Sequence, residues 1–178
     1  THDLHAAIVA LRRMPKPVVA CVHGACAGGG FSTAMACDLV IAAEDAKFTM
    51  AYSLIGASPD GSSTFTLPRL VGFRRAMELA LLSERFDSAR AESLGLVNRT
   101  FPADRLEAEA RTLMERLAGG PTLAFAKAKA LFNRSLGSSL EAQLEAEAQS
   151  IAACADTADF IDGIAAFSEK RKPTFTGT

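Results

Sequence analysis

The stretch Val18-Val19-Ala20-Cys21-Val22-His23-Gly24-Ala25-Cys26-Ala27-Gly28-Gly29-Gly30, continuing into Phe31-Ser32-Thr33-Ala34-Met35-Ala36-Cys37-Asp38, decides how this chain is read. Val18 to Val22 is a short apolar, β-branched run behind Lys16-Pro17, the pattern of a buried strand. A tight turn at Gly24 follows, then a glycine triplet, then a small-residue helix. Three successive glycines are poor helix material, so helix stability does not explain them. Two explanations stay open from the residues alone. Without Cβ atoms a substrate can lie on the backbone where the unpaired N–H groups of a helix start point outward, which suits the negative oxygen of a phosphate or an enolate. The glycines can equally serve close helix–strand packing with no ligand. The spacing matches neither the dinucleotide fingerprint nor a P-loop, since no Gly-Lys-Ser/Thr follows.

At 178 residues and 49% hydrophobic, the chain can bury one substantial core, and one domain is the default. A net charge of −1 gives no electrostatic footprint for nucleic acid or an anionic membrane. No apolar run approaches a membrane span and Thr1-His2-Asp3-Leu4 does not read as a signal peptide, so a cytoplasmic location is expected. Cys21, Cys26, Cys37 and Cys154 lack CxxC spacing and read as small buried hydrophobes, not disulfides or metal ligands. His2, His5 and His23 are too scattered for a metal site, and no metal is expected. The chain starts without methionine and inside an element, so a fragment or a processed chain is expected.

Leu4, Ile8 and Leu11 mark one face of a helix ending near Met14-Pro15. After the strand and the glycine-opened helix, Leu39 to Ala43 and Lys47 to Met50 read as strands, and Ile55 to Ser63 as a loop. Ser62, Ser63 and Thr64 offer caps for a helix broken near Pro68, and Arg74 to Leu82 resumes after Gly72. Ser88 to Glu92 reads as a short helix and Leu96 to Phe101 as a last strand. Beyond Pro102 the composition turns to alanine, leucine and charge, with helices at Leu106–Leu117, Thr122–Leu136, Ser139–Ala155 and Thr157–Lys170. The pattern predicts an α/β body over residues 1–101 and a helical region over 102–178. Its amphipathic faces either pack on another subunit or cover their own core.

From Lys16-Pro17-Val18-Val19-Ala20 through Gly28-Gly29-Gly30 to Met35-Ala36-Cys37-Asp38, the chain resembles the enoyl-CoA hydratase/isomerase (crotonase) superfamily. The likeness continues through Ala46-Lys47-Phe48, the Ile55-to-Thr64 loop, Leu67-Pro68-Arg69-Leu70-Val71-Gly72, and Arg90-Ala91-Glu92-Ser93-Leu94-Gly95-Leu96-Val97. It ends in the tail from Phe167 to Phe175. The resemblance implies an α/β spiral of strand–strand–helix turns with a C-terminal helical trimerisation region, assembling as a homo-trimer or hexamer. It implies an acyl-CoA substrate, with coenzyme A as part of that substrate and no other cofactor. Two backbone N–H groups would hold the thioester oxygen. One matches Gly29, with Gly28 lining the same end of the groove, and the other belongs to a segment that would precede Thr1. Losing one such donor costs roughly a hundred- to a thousandfold in turnover. Lys170 matches a lysine that reaches a nucleotide phosphate; a solvated terminal charge beside Arg171 and Lys172 is the alternative.

Family hydratases split water with two glutamates, whose positions here carry Ser32 and Tyr52. Neither is a base at neutral pH, since an unperturbed tyrosine titrates near ~10. Asp60, in Ser58-Pro59-Asp60-Gly61-Ser62-Ser63, matches the acid that family isomerases place beside the acyl chain. By itself Pro-Asp-Gly is also ordinary turn and capping chemistry. The resemblance makes Asp60 a proton shuttle, in a pocket made apolar by Phe31, Tyr52 and Phe65 that would raise its pKa. Family aryl-CoA dehalogenases pair an aromatic residue and an aspartate at the same positions, with an additional histidine expected from the absent segment. A catalytically silent acyl-CoA-binding protein is the third reading. His23 reads as a structural turn histidine.

Overall fold

The computed structural model describes residues 2–178. They form two compact units, one of the residues up to Arg12 with Val18–Arg111, the other of Arg13–Pro17 with Thr112–Thr178.

The first unit opens on α1 (His2–Arg13), whose Ile8 is buried. It stops ahead of Pro15, because proline disfavours helical geometry in the residue before it. β1 (Val19–Val22), β3 (Leu39–Ala43) and β6 (Arg99–Phe101) form a parallel sheet in the order β1-β3-β6, with Val19 opposite Leu39 and Ile41 opposite Arg99. A second sheet holds β2 (Ala25–Ala27), β4 (Lys47–Thr49) and β5 (Phe86–Asp87), with β4 parallel to β2 and antiparallel to β5. The chain thus crosses between the sheets in each pair of strands, β1 to β2, β3 to β4 and β5 to β6, with β4 and β5 successive strands of the second sheet. Each pass is followed by a helix or precedes one: α2 (Gly28–Ala36), α3 (Ser63–Val71) with α4 (Phe73–Leu82), and α5 (Ser88–Ser93). That is the crotonase-like spiral. Its central strand, Leu-Val-Ile-Ala-Ala, is buried from Val40 onward, as a strand covered on both faces must be. In the core the ring of Phe48 stacks on Phe86 at 5.8 Å, and Phe31 meets Phe86 edge-on at 6.3 Å.

Several elements differ from the sequence reading. Ala25–Ala27 was expected as part of a turn and is a strand, since only Gly24 reverses the chain, at φ +64°, and its carbonyl accepts the Lys47 N–H at 2.8 Å. Pairing with β4 supplies what the weak strand preference of alanine does not. The last strand begins at Arg99 rather than Leu96; Asn98 before it grips Val40 through both its backbone N–H and its Oδ1. α3 runs through Pro68 and ends at Gly72, φ +78°. The carbonyl that Pro68 leaves without a donor is that of exposed Thr64, within reach of solvent. Ser62 precedes α3 in the left-handed region, φ +68°, and makes no side-chain cap. Cys21 is exposed, against the expectation of four buried thiols, whereas Cys26 is buried and burial pushes its thiol up to about 11.

α6 (Leu106–Ala118) runs through the boundary between the units. The second unit contains α7 (Thr122–Ser135), α8 (Leu140–Ala155) and α9 (Ala158–Glu169). Its tail doubles back on α9. Buried Asp159 accepts the Thr176 N–H at 2.6 Å and the Gly177 N–H at 3.0 Å, and Asp162 binds Arg171 and the Thr174 N–H. Among the described residues no helix is long and apolar enough to cross a membrane.

Candidate active site

α2 begins at Gly28, φ +51°, directly out of β2, so its first N–H groups have no intrahelical acceptor. Side chains one turn on bind back to the carbonyls of this start: Ser32 Oγ donates to Gly28 O at 3.2 Å and Thr33 Oγ1 to Gly29 O at 2.8 Å. A β-carbon on Gly30 would meet nothing within 4 Å, and one on Gly29 would meet only Leu4 Cδ2 at 4.0 Å. The helix start is open at Gly30 and roofed by Leu4 at Gly29.

The loop after β4 brings Asp60 to this place. Ala51, at φ +58°, turns the chain into a short 3-10 turn, Tyr52–Ile55, and Gly56 at φ +69° turns it out again. Gly61, φ +61°, is buried against α2: a β-carbon there would sit 2.9 Å from Ser32 Cβ and 3.5 Å from Leu4 Cδ2. One methyl of Leu4 therefore touches the space at both Gly29 and Gly61. The loop is closed by Tyr52, whose hydroxyl lies 3.0 Å from Ser32 Oγ and 3.4 Å from the Asp60 carbonyl, and by Ser63 Oγ, which donates to that carbonyl at 2.8 Å.

The carboxylate of Asp60 is held at one oxygen. His5 Nε2 lies 2.5 Å from Oδ1, and the Gly61 N–H donates to the same atom at 2.7 Å. The His5 hydrogen bond, followed by that of Gly61, lowers the Asp60 pKa. This corrects the expectation of an apolar pocket that raises it: the side chain is 31% exposed and its neighbours are donors. Asp60 is an ionised carboxylate at neutral pH.

Two expected pocket residues lie elsewhere. Phe31 is completely buried edge-on against Phe86, so it lines core rather than groove. Phe65 is exposed and carries the Arg69 guanidinium 3.8 Å above its ring. Ser32 and Tyr52 do meet at the site, joined to each other. Lys170, in the second unit, is the left-handed C-cap of α9 at φ +55°, its N–H donating to Ala166 and Phe167 carbonyls. His23 is exposed beside the turn at Gly24.

His5 is the residue that sequence reasoning passed over. Its only signal was a titratable side chain next to the apolar stripe of α1, which is commonplace on a surface helix. It places a histidine beside Asp60 within the described residues. Among the described residues no group of three or more His, Cys, Asp or Glu side chains is placed to hold a metal ion.

The chain belongs to the enoyl-CoA hydratase/isomerase family, which it matches over residues 2–178. It is 43% identical to a probable enoyl-CoA hydratase of Rhodobacter capsulatus over 168 residues, covering 94% of this chain and 65% of that protein. It is 38% identical to the 1,2-epoxyphenylacetyl-CoA isomerase of Escherichia coli over 167 residues, covering 94% of this chain and 64% of that protein. The crystal structure of an enoyl-CoA hydratase from Polaromonas sp. JS666 superposes with a TM-score of 0.94 at 39% identity, over 98% of this chain and 68% of that one. The chain therefore spans slightly less than two thirds of the length of these curated relatives.

Proposed function

We propose that this protein shifts the double bond of a 3-enoyl-CoA, or of a related ring-derived thioester, with Asp60 as the proton shuttle. One observation carries the reading. At the start of α2, the hydroxyls of Ser32 and Tyr52 are bonded to each other at 3.0 Å, and the carboxylate of the adjoining loop is that of Asp60, its pKa lowered by His5 and then Gly61. Splitting water calls for a base at the first two positions, whereas moving one proton calls for a single carboxylate.

In this mechanism Asp60 takes a proton from the carbon next to the thioester carbonyl. The C–H electron pair moves into the carbonyl, and the developing oxyanion is received by the Gly29 N–H at the helix start, with Gly28 lining the thioester end. Asp60 then returns the proton two carbons further along and the double bond comes into conjugation. Coenzyme A arrives as part of the substrate and no other cofactor is invoked. Lys170 is proposed to contact a nucleotide phosphate. Exposed Phe132, Leu140, Ile161, Ile164 and Phe167 support assembly of the second unit into a homo-trimer or hexamer, in the cytoplasm.

The test is conversion of a 3-enoyl-CoA to its conjugated isomer, by the protein and by Asp60→Asn. The expected loss is about a hundredfold or more. Undiminished turnover in the variant, or none in the parent, favours the silent acyl-CoA-binding reading.

The His5–Asp60 contact favours a second reading, aryl-CoA dehalogenation. There Asp60 attacks the halogen-bearing ring carbon, an aryl–oxygen bond forms as halide leaves, and water activated by His5 hydrolyses the ester. Halide release from 4-chlorobenzoyl-CoA separates it from isomerisation.

A further inference from the structure

We infer that His5 is a positioning residue for Asp60: its Nε2–H anchors Oδ1 so that Oδ2 is the oxygen that takes and returns the substrate proton. The inference rests on the isomerase reading proposed above. It starts from an asymmetry in the carboxylate. Oδ1 is engaged twice, by His5 at 2.5 Å and by the Gly61 N–H at 2.7 Å, whereas among the described residues Oδ2 accepts no hydrogen bond. Gly61 alone cannot hold the rotamer, because a single bond from the next residue leaves the carboxylate free to swing about it. A second donor from a different element fixes both direction and plane.

α1 can supply that donor because Leu4, one residue earlier, packs against the spaces at Gly61 and Gly29. Ile8, one turn on, is buried and pins the helix. His5 thus stands on a rigid element while Asp60 stands on a loop, the arrangement a shuttle needs if it is to serve two substrate carbons without wandering. Among the described residues the other titratable group facing the loop is Tyr52, from the 3-10 turn, and it bonds to the Asp60 carbonyl rather than to its carboxylate. The charge of the chain's amino terminus adds a smaller lowering effect on Asp60. α2 faces it with neutral Ser32. His2 and Asp3, on α1 itself, are exposed.

Two measurements on His5→Phe, His5→Gln and Asp60→Asn test this. The first follows the Asp60 carboxyl carbon by NMR against pH, which needs no turnover. The second follows kcat, KM and the acid limb of kcat/KM with a 3-enoyl-CoA. In His5→Phe the Asp60 titration is expected to move to higher pH and the acid limb to move with it. Its kcat should fall roughly tenfold or more with KM changed less than threefold, and His5→Gln, which keeps an N–H donor, should recover part of the loss. An Asp60 titration indifferent to His5 overturns the inference, as does a shifted titration with wild-type kcat. Full turnover in Asp60→Asn sinks the isomerase reading instead, and the NMR titration still reports whether the pair exists.

Discussion

Gly61 lies so close to Ser32 that a β-carbon added to it would sit 2.9 Å from Ser32 Cβ. This contact lets the loop carrying Asp60 rest on the helix whose first turn holds Gly29. Gly61 also has φ +61°, where a side chain is strained whatever the space. Gly61→Ala is therefore expected to destabilise the protein by about 2 kcal/mol, through both overpacking and backbone strain. It should also lower turnover more than it lowers substrate affinity. Denaturant titration and steady-state kinetics check the two effects, and an unchanged midpoint would refute the close contact.

Tyr52 and Ser32 share a hydrogen bond beside the loop that carries Asp60. Tyr52→Phe keeps the ring but removes the link to Ser32 Oγ and to the Asp60 carbonyl. A loss of about 1 kcal/mol is expected. A modest fall in isomerase turnover should accompany it, with no change in its pH profile. Loss of all activity would mean that the phenol does chemistry not assigned to it above.

The C-terminal tail should respond to acid. Arg171 first, then the Thr174 N–H, hold the Asp162 carboxyl below its usual range. A carboxyl depressed in the folded state contributes stability above its unfolded pKa, about 3.9, and loses that contribution as pH falls from there through the folded value. The Thr174 amide resonance is expected to move in that window and to be indifferent to it in Asp162→Asn. A Thr174 amide that titrates alike in both proteins would show that Asp162 does not hold the tail.

The thiols should separate by reactivity. Cys21 is exposed, although burial of its sulfur and then Glu107 raise its pKa, whereas Cys26 is buried and raised to about 11. Alkylation of the native protein near pH 8 is expected at Cys21 well before Cys26, and at Cys26 only once the chain unfolds. Peptide mass mapping over time reads this directly.

Phe31 and Phe65 make opposite predictions although the sequence placed both beside the substrate. Phe31→Ala empties a core site under Phe86 and should cost about 3–5 kcal/mol. Phe65→Ala removes an exposed ring with Arg69 upon it and should cost under about 1 kcal/mol. Comparable losses from the two would contradict their placement.

The glycine-opened helix, the longer strands and helices and the family were legible in the order of residues alone. Those depend on local composition: β-branched runs make Val19–Val22 and Leu39–Ala43 strands, and the Leu106 and Thr122 segments carry helical periodicity over many residues. It also singled out Asp60, Ser32 and Tyr52, which tertiary packing joins through the Asp60 carbonyl and the Ser32 hydroxyl. It could not see β2 or β5, three and two residues long, because strands so short exist only by pairing with β4. The direction of the Asp60 pKa shift was a tertiary matter for the same reason. A nearby phenylalanine in sequence is no measure of an apolar pocket, and the donor that lowers the pKa comes from His5, fifty-five residues away. Local pattern reports what each residue prefers; which distant group ends up within hydrogen-bonding distance is settled only when the chain closes on itself.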